Sequence, residues 1–194
     1  MWSDAVAVHP WVGNLYPSPL HFKYRTLIVG ESNYTTPDKY KSSLVIDCVL
    51  DDMSTSGDRD TVGFCRFSTK LRRVIWGRHE SFGPLGLWNS VAFYNFVQPL
   101  VGDRARIRPT DEMWNESTAA FVEVMQTLNP VRVLVLGKAN WENLLRSVPH
   151  KKIGPYIAEL EVASTSFRAG FINHPSSSLS YTTWHPIAKT FLFA

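Results

Sequence analysis

Cysteine is scarce in this sequence, with only Cys48 and Cys65 among 194 residues. Neither belongs to a closely spaced set of the kind that binds zinc or an iron–sulfur cluster. Long apolar runs are also lacking, since no stretch approaches the roughly 20 residues that a helix needs to cross a bilayer. The first residues do not show the basic and then apolar pattern of an export signal. These absences predict a soluble, cytoplasmic protein with no membrane partner, with both thiols reduced.

Internal repeats and low-complexity linkers are absent as well. A chain of 194 residues has the length of one domain and can bury a substantial core without disulfides. Its 44% hydrophobic and 19% charged residues are typical of a globular protein. We therefore expect a single domain over residues 1–194, and a monomer.

A strong excess of charge of one sign is also missing. The net charge of +3 permits a polyanionic partner but does not require one. Basic residues are nevertheless concentrated in two stretches that we expect to be loops. The first contains Lys70, Arg72, Arg73, Arg78 and His79, and the second contains Arg104, Arg106 and Arg108. Each stretch can either contact phosphates or form a solvated face with counter-ions, and charge alone does not decide.

Apolar segments with strand-like and helical spacing alternate along the chain. The predicted strands are 25–30, 90–97, 131–137 and 166–175. The predicted helices are 38–53, 110–130, 140–148 and 184–193. Strands rich in Val, Ile and Leu that alternate with helices predict an α/β fold with a mostly parallel sheet covered on both faces. We expect a three-layer α/β/α sandwich around a central, mostly parallel four-stranded sheet.

Ligands of such sheets bind beyond the carboxyl ends of the strands. Four predicted loops with polar side chains occupy that position, at residues 30–34, 95–98, 137–141 and 174–184. If the strands are parallel, these loops converge on one mouth although they are far apart in sequence. We expect a functional site there.

The first of these loops, "GESNY" at residues 30–34, partly matches the Gly-x-Ser-x-Gly elbow of serine hydrolases. That elbow requires a second small residue, and Tyr34 stands in its place. Only 25 residues precede the strand, and they contain no glycine-rich oxyanion loop. The pattern therefore favours a strand-end loop that wraps a nucleotide over a nucleophilic Ser32.

Together with "HPSSSLS" at residues 174–180, the "GESNY" loop resembles the two signature motifs of the uracil-DNA glycosylase superfamily in order and separation. Asn95, at the end of an intervening strand, resembles the asparagine that reads the base edge in that family. The resemblance extends from about residue 26 to residue 184, although few residues carry it. It implies a monofunctional DNA glycosylase with DNA as its partner, water as the nucleophile, and neither a cofactor nor a metal.

The resemblance also implies roles for single residues. His174 would donate a hydrogen bond to O2 of the departing base, on which negative charge builds as the glycosidic bond breaks. Asn95 would bond to the Watson–Crick edge of the extruded base. Tyr34 would form an aromatic wall beside C5, and Phe64 or Phe67 would stack on the base. Core packing is the alternative for both phenylalanines.

Two positions depart from the pattern of the uracil-specific members. Those members have a water-polarising aspartate where this chain has Ser32, and a proline where it has Asn33. Ser32 would then line the base pocket, and Glu31 and Asn33 become the candidates for orienting water. This predicts a pyrimidine other than plain uracil, namely a C5-modified cytosine such as the glucosylated cytosine of phage DNA. Uracil repair and a non-catalytic nucleic-acid-binding module remain the alternatives.

The second motif is suited to contacts with DNA. Hydroxyl groups and backbone amides of a serine-rich loop can bond phosphate oxygens, and a nearby lysine can add charge. The candidates for these contacts are Ser176, Ser177, Ser178, Ser180 and Lys138. Leu179 is the first candidate for the wedge that fills the gap left by a flipped nucleotide, and Tyr181 is the second. A flexible turn without a ligand is the alternative.

Overall fold

A mixed β-sheet forms the centre of the computed structural model, which describes residues 1–54, 63–104, 107–177 and 179–194. Within these ranges the sheet has seven strands in the order β1-β3-β2-β4-β7-β6-β5. The strands are β1 (Trp11–Val12), β2 (Thr26–Tyr34), β3 (Val91–Gly102), β4 (Arg132–Leu136), β5 (His150–Lys152), β6 (Ile157–Val162) and β7 (Thr165–Ile172).

The four strands that the sequence predicts are the adjacent, mutually parallel strands β3, β2, β4 and β7. The expected total of four is wrong, because β1, β5 and β6 extend the edges in antiparallel pairs. β1 has only two residues, and β5 consists of three exposed polar ones, so neither shows an apolar pattern. The sheet is therefore mixed rather than mostly parallel, although its centre is parallel.

Seven α-helices lie within the described ranges. They are α1 (Leu44–Ser54), α2 (Gly63–Trp76), α3 (Gly83–Ser90), α4 (Asp111–Glu116), α5 (Thr118–Leu128), α6 (Lys138–Ser147) and α7 (Tyr181–Phe193). α2 includes Lys70, Arg72 and Arg73, so the prediction of a loop there is wrong. None of these helices is long and apolar enough to cross a membrane.

Both faces of the sheet are buried. Leu27, Ile28 and Val29 of β2 follow one another and are all fully buried. Because successive strand residues point to opposite faces, each face must be covered. α1, α2 and α3 contact one another and α7 contacts α2, whereas α5 contacts β3 and α6 contacts β4 and β7. The chain therefore has an α/β fold.

One long helix expected from Thr110 is divided in two at Ser117. The Ser117 hydroxyl donates to the carbonyl oxygen of Met113 at 2.7 Å and accepts the N–H of Gln98 at 2.9 Å. This buried serine lies between α4 and α5 and ties the start of α5 to β3. Asn129 ends α5 in the left-handed conformation, with φ of 43°, close to the predicted stop.

Candidate functional site

Gly30 and Asn95 bring β2 and β3 into close contact within the sheet. β2 continues to Tyr34 and β3 continues to Gly102, so the prediction of loops at residues 30–34 and 95–98 is wrong, because both stretches are strand. The two residues are paired in the sheet, and Asn95 Oδ1 occupies the place that a Cβ on Gly30 would take. Phe93 Cζ lies 3.3 Å from the same point. Any side chain at position 30 would therefore displace Asn95, which explains why a glycine stands here inside a strand.

Asn33 orients the amide of Asn95. Asn95 Nδ2 donates to Asn33 Oδ1 at 2.9 Å, and Asn33 Nδ2 donates to the carbonyl oxygen of Val97 at 3.4 Å. Because a carbonyl oxygen only accepts, it fixes the amide of Asn33, which in turn fixes that of Asn95. Asn33 is 3% exposed, and both ends of its amide are engaged. Its role in orienting water stays a prediction.

His174 is held as a neutral ring with a defined tautomer. Its Nδ1 accepts the backbone N–H of Ser176 at 3.1 Å, so the ring proton of the neutral form is on Nε2. Burial, followed by the positive charges of Arg108 and Lys70, lowers the pKa of His174 from 6.5 to about 4. At neutral pH the imidazole is therefore an uncharged hydrogen-bond donor through Nε2.

Aromatic rings connect His174 with the contact between Gly30 and Asn95. The Phe67 ring centroid lies 5.7 Å from that of His174 and 5.8 Å from that of Phe93. Phe67 is only 8% exposed and belongs to the hydrophobic core, so its stacking on a base stays a prediction. The Phe64 ring stacks on Trp88 at 5.5 Å and also packs against Phe67 and Phe93, with ring centroids 5.4 and 6.0 Å away.

The remaining two residues of the first motif before Tyr34 differ in their environment. The Glu31 carboxylate accepts hydrogen bonds from Arg108 Nη1 at 3.1 and 3.4 Å, so it is already paired. Ser32 is buried, and its Oγ has no hydrogen-bond partner in the described part of the chain. A nucleophilic serine requires a base within hydrogen-bond reach. The described residues provide none, which argues against a serine hydrolase.

Tyr34 anchors a neighbouring segment. Its hydroxyl donates to the carbonyl oxygen of Ile107 at 3.0 Å. The pairing of β2 with β3 is irregular between Ser32 and Tyr34, so that Tyr34 lies opposite Gly102. A place for its ring beside C5 of a base stays a prediction.

The serines of the second motif hold the loop around His174. The N–H and the hydroxyl of Ser177 bond to the carbonyl oxygen of His174 at 2.9 and 2.6 Å. Ser180 caps α7, where its Oγ accepts the N–H of Thr183 at 3.4 Å. Ser176, Ser177 and Ser180 are exposed and accessible to a phosphate. Ser178 lies outside the described residues.

The wedge candidates are packed against the protein. Leu179 and Tyr181 are partly buried against the hydrophobic core, and the Arg78 guanidinium lies 5.3 Å from the Tyr181 ring. Either side chain would have to leave this packing to enter a duplex. The Lys138 Nζ lies 3.7 Å from Glu142 Oε1. The Lys138 side chain is nevertheless 75% exposed and remains accessible to a phosphate.

The two basic stretches differ in their exposure. Arg72 is 3% exposed and forms a buried ion pair with Glu80, so neither of the two alternatives, contact with phosphates or a solvated face, applies to it. Arg104 and Arg108 are exposed, whereas Arg106 lies outside the described residues. Sequence reasoning placed Arg108 only within a basic stretch, because its contact with Glu31 depends on tertiary structure.

Phe93 is a second residue of the site that is not among the candidates predicted from the sequence. Its position two residues before Asn95 on the same strand is the signal that it shares a face with Asn95.

Among the described residues, no three His, Cys, Asp or Glu side chains are grouped to hold a metal ion.

Comparison with models of known protein families gives no match, and neither does comparison with curated proteins.

Proposed function

We propose that this protein is a DNA glycosylase that flips out a pyrimidine and hydrolyses its N-glycosidic bond to leave an abasic site. The observation that carries the proposal is the neutral His174, which keeps its proton on Nε2 and is linked through the rings of Phe67 and Phe93 to the contact between Gly30 and Asn95. Breaking the glycosidic bond leaves negative charge on the base, much of it on O2. A fixed donor at O2 stabilises that charge more strongly in the transition state than in the substrate.

The cations near His174 support the same chemistry. Arg108 and Lys70 disfavour protonation of the ring, and their positive potential also favours an anion at the site. A neutral donor in a positive potential stabilises a leaving base without requiring a proton transfer. The α/β fold with a parallel centre is compatible with the three-layer arrangement that the resemblance implies.

Asn95 would select the base. Because its amide is fixed by Asn33, it presents donor and acceptor in one order rather than two. Ser32 and Asn33 replace the larger aspartate and the rigid proline of uracil-specific members. The Tyr34 hydroxyl bonds to Ile107 and holds the side chain at the end of β2, and the proposal requires that its ring leaves room at C5. These features favour a C5-modified cytosine, for which the glucosylated bases of phage DNA are the bulkiest candidates.

The attacking water requires a polar partner inside the site. Glu31 and Asn33 are both engaged with other side chains. The buried hydroxyl of Ser32 has no partner among the described residues, and buried polar groups are normally hydrogen-bonded. A water bound at Ser32 Oγ would satisfy this hydroxyl and place a nucleophile within the first motif.

The test is a panel of duplexes that carry uracil, thymine mispaired with guanine, 5-hydroxymethylcytosine or its glucosylated form, scored for alkali-labile abasic sites. We expect the modified cytosines to be released faster than uracil. His174→Ala should lower cleavage by about a hundredfold or more, with DNA affinity nearly intact, since its bond strengthens only as charge develops. His150→Ala removes an exposed histidine from β5 and is the matched control.

Other outcomes separate the alternatives. Rapid release of uracil without release of modified cytosines would indicate uracil repair. DNA binding without abasic sites from any duplex would indicate a non-catalytic binding module. Equal losses of affinity and cleavage in His174→Ala would assign this histidine a structural role.

A further inference from the structure

Arg108 has a backbone that is fixed on both sides. The carbonyl oxygen of Ile107 accepts the Tyr34 hydroxyl at 3.0 Å, which ties this residue to the end of β2. Two residues beyond Arg108, Thr110 caps α4, and its Oγ1 accepts the N–H of Met113 at 3.4 Å. The position of Arg108 relative to the candidate site is therefore well defined.

The Arg108 side chain is exposed, but the carboxylate that holds it is not. Nη1 bonds to both carboxylate oxygens of Glu31, and the side-chain exposures are 72% for Arg108 and 12% for Glu31. Neither Nε nor Nη2 of Arg108 has an acceptor among the residues that the structure describes. A guanidinium has five N–H donors in a planar fork, so its second edge remains open to solvent.

We infer that the open Nε–Nη2 edge of Arg108 binds a backbone phosphate of DNA, and that Glu31 is the positioning residue that aims it. Arginine binds phosphate through two parallel N–H···O bonds, and this edge has the required geometry. The inference rests on the DNA binding in the proposed function and not on base excision. It gives Glu31 a role other than orienting water.

The enclosed carboxylate of Glu31 is suited to positioning the exposed guanidinium of Arg108 for a phosphate. Glu31 offsets part of the charge of Arg108, so its presence weakens the attraction to a polyanion at long range. Glu31 also restricts the long side chain of Arg108 before DNA binds. Less rotamer entropy is therefore lost on binding. A carboxylate that helps DNA binding despite its negative charge is the distinguishing property of the inferred arrangement.

The first experiment measures binding of a fluorescein-labelled, unmodified duplex by anisotropy from 50 to 200 mM KCl. Each phosphate contact contributes about 0.9 to the slope of log Kobs against log salt. We expect Arg108→Gln to make this negative slope shallower by about one. We also expect it to lower the affinity at 50 mM KCl several-fold. Arg146→Gln removes the same charge from the last turn of α6 and should leave the slope nearly unchanged. Equal slopes and affinities in the two variants, or no binding by the wild type, would overturn the inference.

The second experiment tests the role of Glu31 with Glu31→Gln alone and combined with Arg108→Gln. If Glu31 positions Arg108, Glu31→Gln should weaken binding in the wild type but not when Arg108 is already replaced. Stronger binding by Glu31→Gln in the wild-type background would overturn the positioning role. Circular dichroism of each variant checks that the fold is intact.

The results are separable from those on base excision. Arg108-dependent binding without abasic sites would support this inference and contradict the proposed glycosylase. Base excision with no change in Arg108→Gln binding would support the glycosylase and contradict this inference.

Discussion

The neutral state of His174 predicts how the stability of the protein depends on pH. Its pKa is about 4 in the folded protein, below the ordinary value of 6.5. Between these values the unfolded chain binds a proton that the folded chain does not, so the free energy of unfolding decreases as the pH falls. The contribution is fully present above pH 6.5 and is lost as the pH falls towards 4. Integrating this linkage from pH 7 to pH 5 gives a loss of about 2 kcal/mol.

Urea denaturation of the wild type and of His174→Gln at pH 7, 6 and 5 isolates this contribution. Glutamine keeps a polar side chain but does not titrate, whereas the other titrating groups are common to both proteins. We expect the wild type to lose about 2 kcal/mol more than the variant between pH 7 and pH 5. Parallel pH profiles would refute the assignment of a buried, neutral His174. Nitrogen chemical shifts of the ring would independently report its pKa and the proton on Nε2.

Two further predictions concern stability and are measured by urea denaturation at neutral pH. Gly30→Ala should displace Asn95 and cost about 1 to 2 kcal/mol, since the hydrogen bond of the Asn95 amide is lost; Gly154→Ala, where a Cβ meets only one atom at 4.0 Å, should be close to neutral. Equal effects of the two substitutions would contradict the close approach at position 30. Glu80→Ala should cost about 3 to 5 kcal/mol, because it leaves the buried guanidinium of Arg72 without its carboxylate. A cost below about 1 kcal/mol would show that this pair is solvated.

The centre of the fold could be predicted because its strands are buried on both faces. Continuous runs of Val, Ile and Leu distinguish such strands without any knowledge of their neighbours. Parallel strands predict that Gly30 and Asn95 lie side by side, and the structure pairs them, although within β2 and β3 rather than at the ends of these strands. The contact between Gly137 and His174 at the ends of β4 and β7 follows the same logic, with 3.4 Å between the His174 Cβ and the place of a Cβ on Gly137.

The partners within the site could not be predicted in the same way. The bond between Asn33 and Asn95 depends on the register of two strands and on the orientation of two amides. The pairing of Glu31 with Arg108 depends on how the segment before α4 returns to the end of β2. Such contacts are set by tertiary geometry, for which the sequence has no periodic signal.

The pairing of β2 also has a consequence for how the protein folds. Thr26 pairs with Val91 on one side and with Arg132 on the other, so the central strand has both its neighbours far along the chain. The entropy of closing these long loops must be lost before the contacts stabilise the chain, so we expect it to fold more slowly than a helical bundle of similar length. A nascent chain on the ribosome that ends before Thr165 therefore lacks both the last parallel strand and His174.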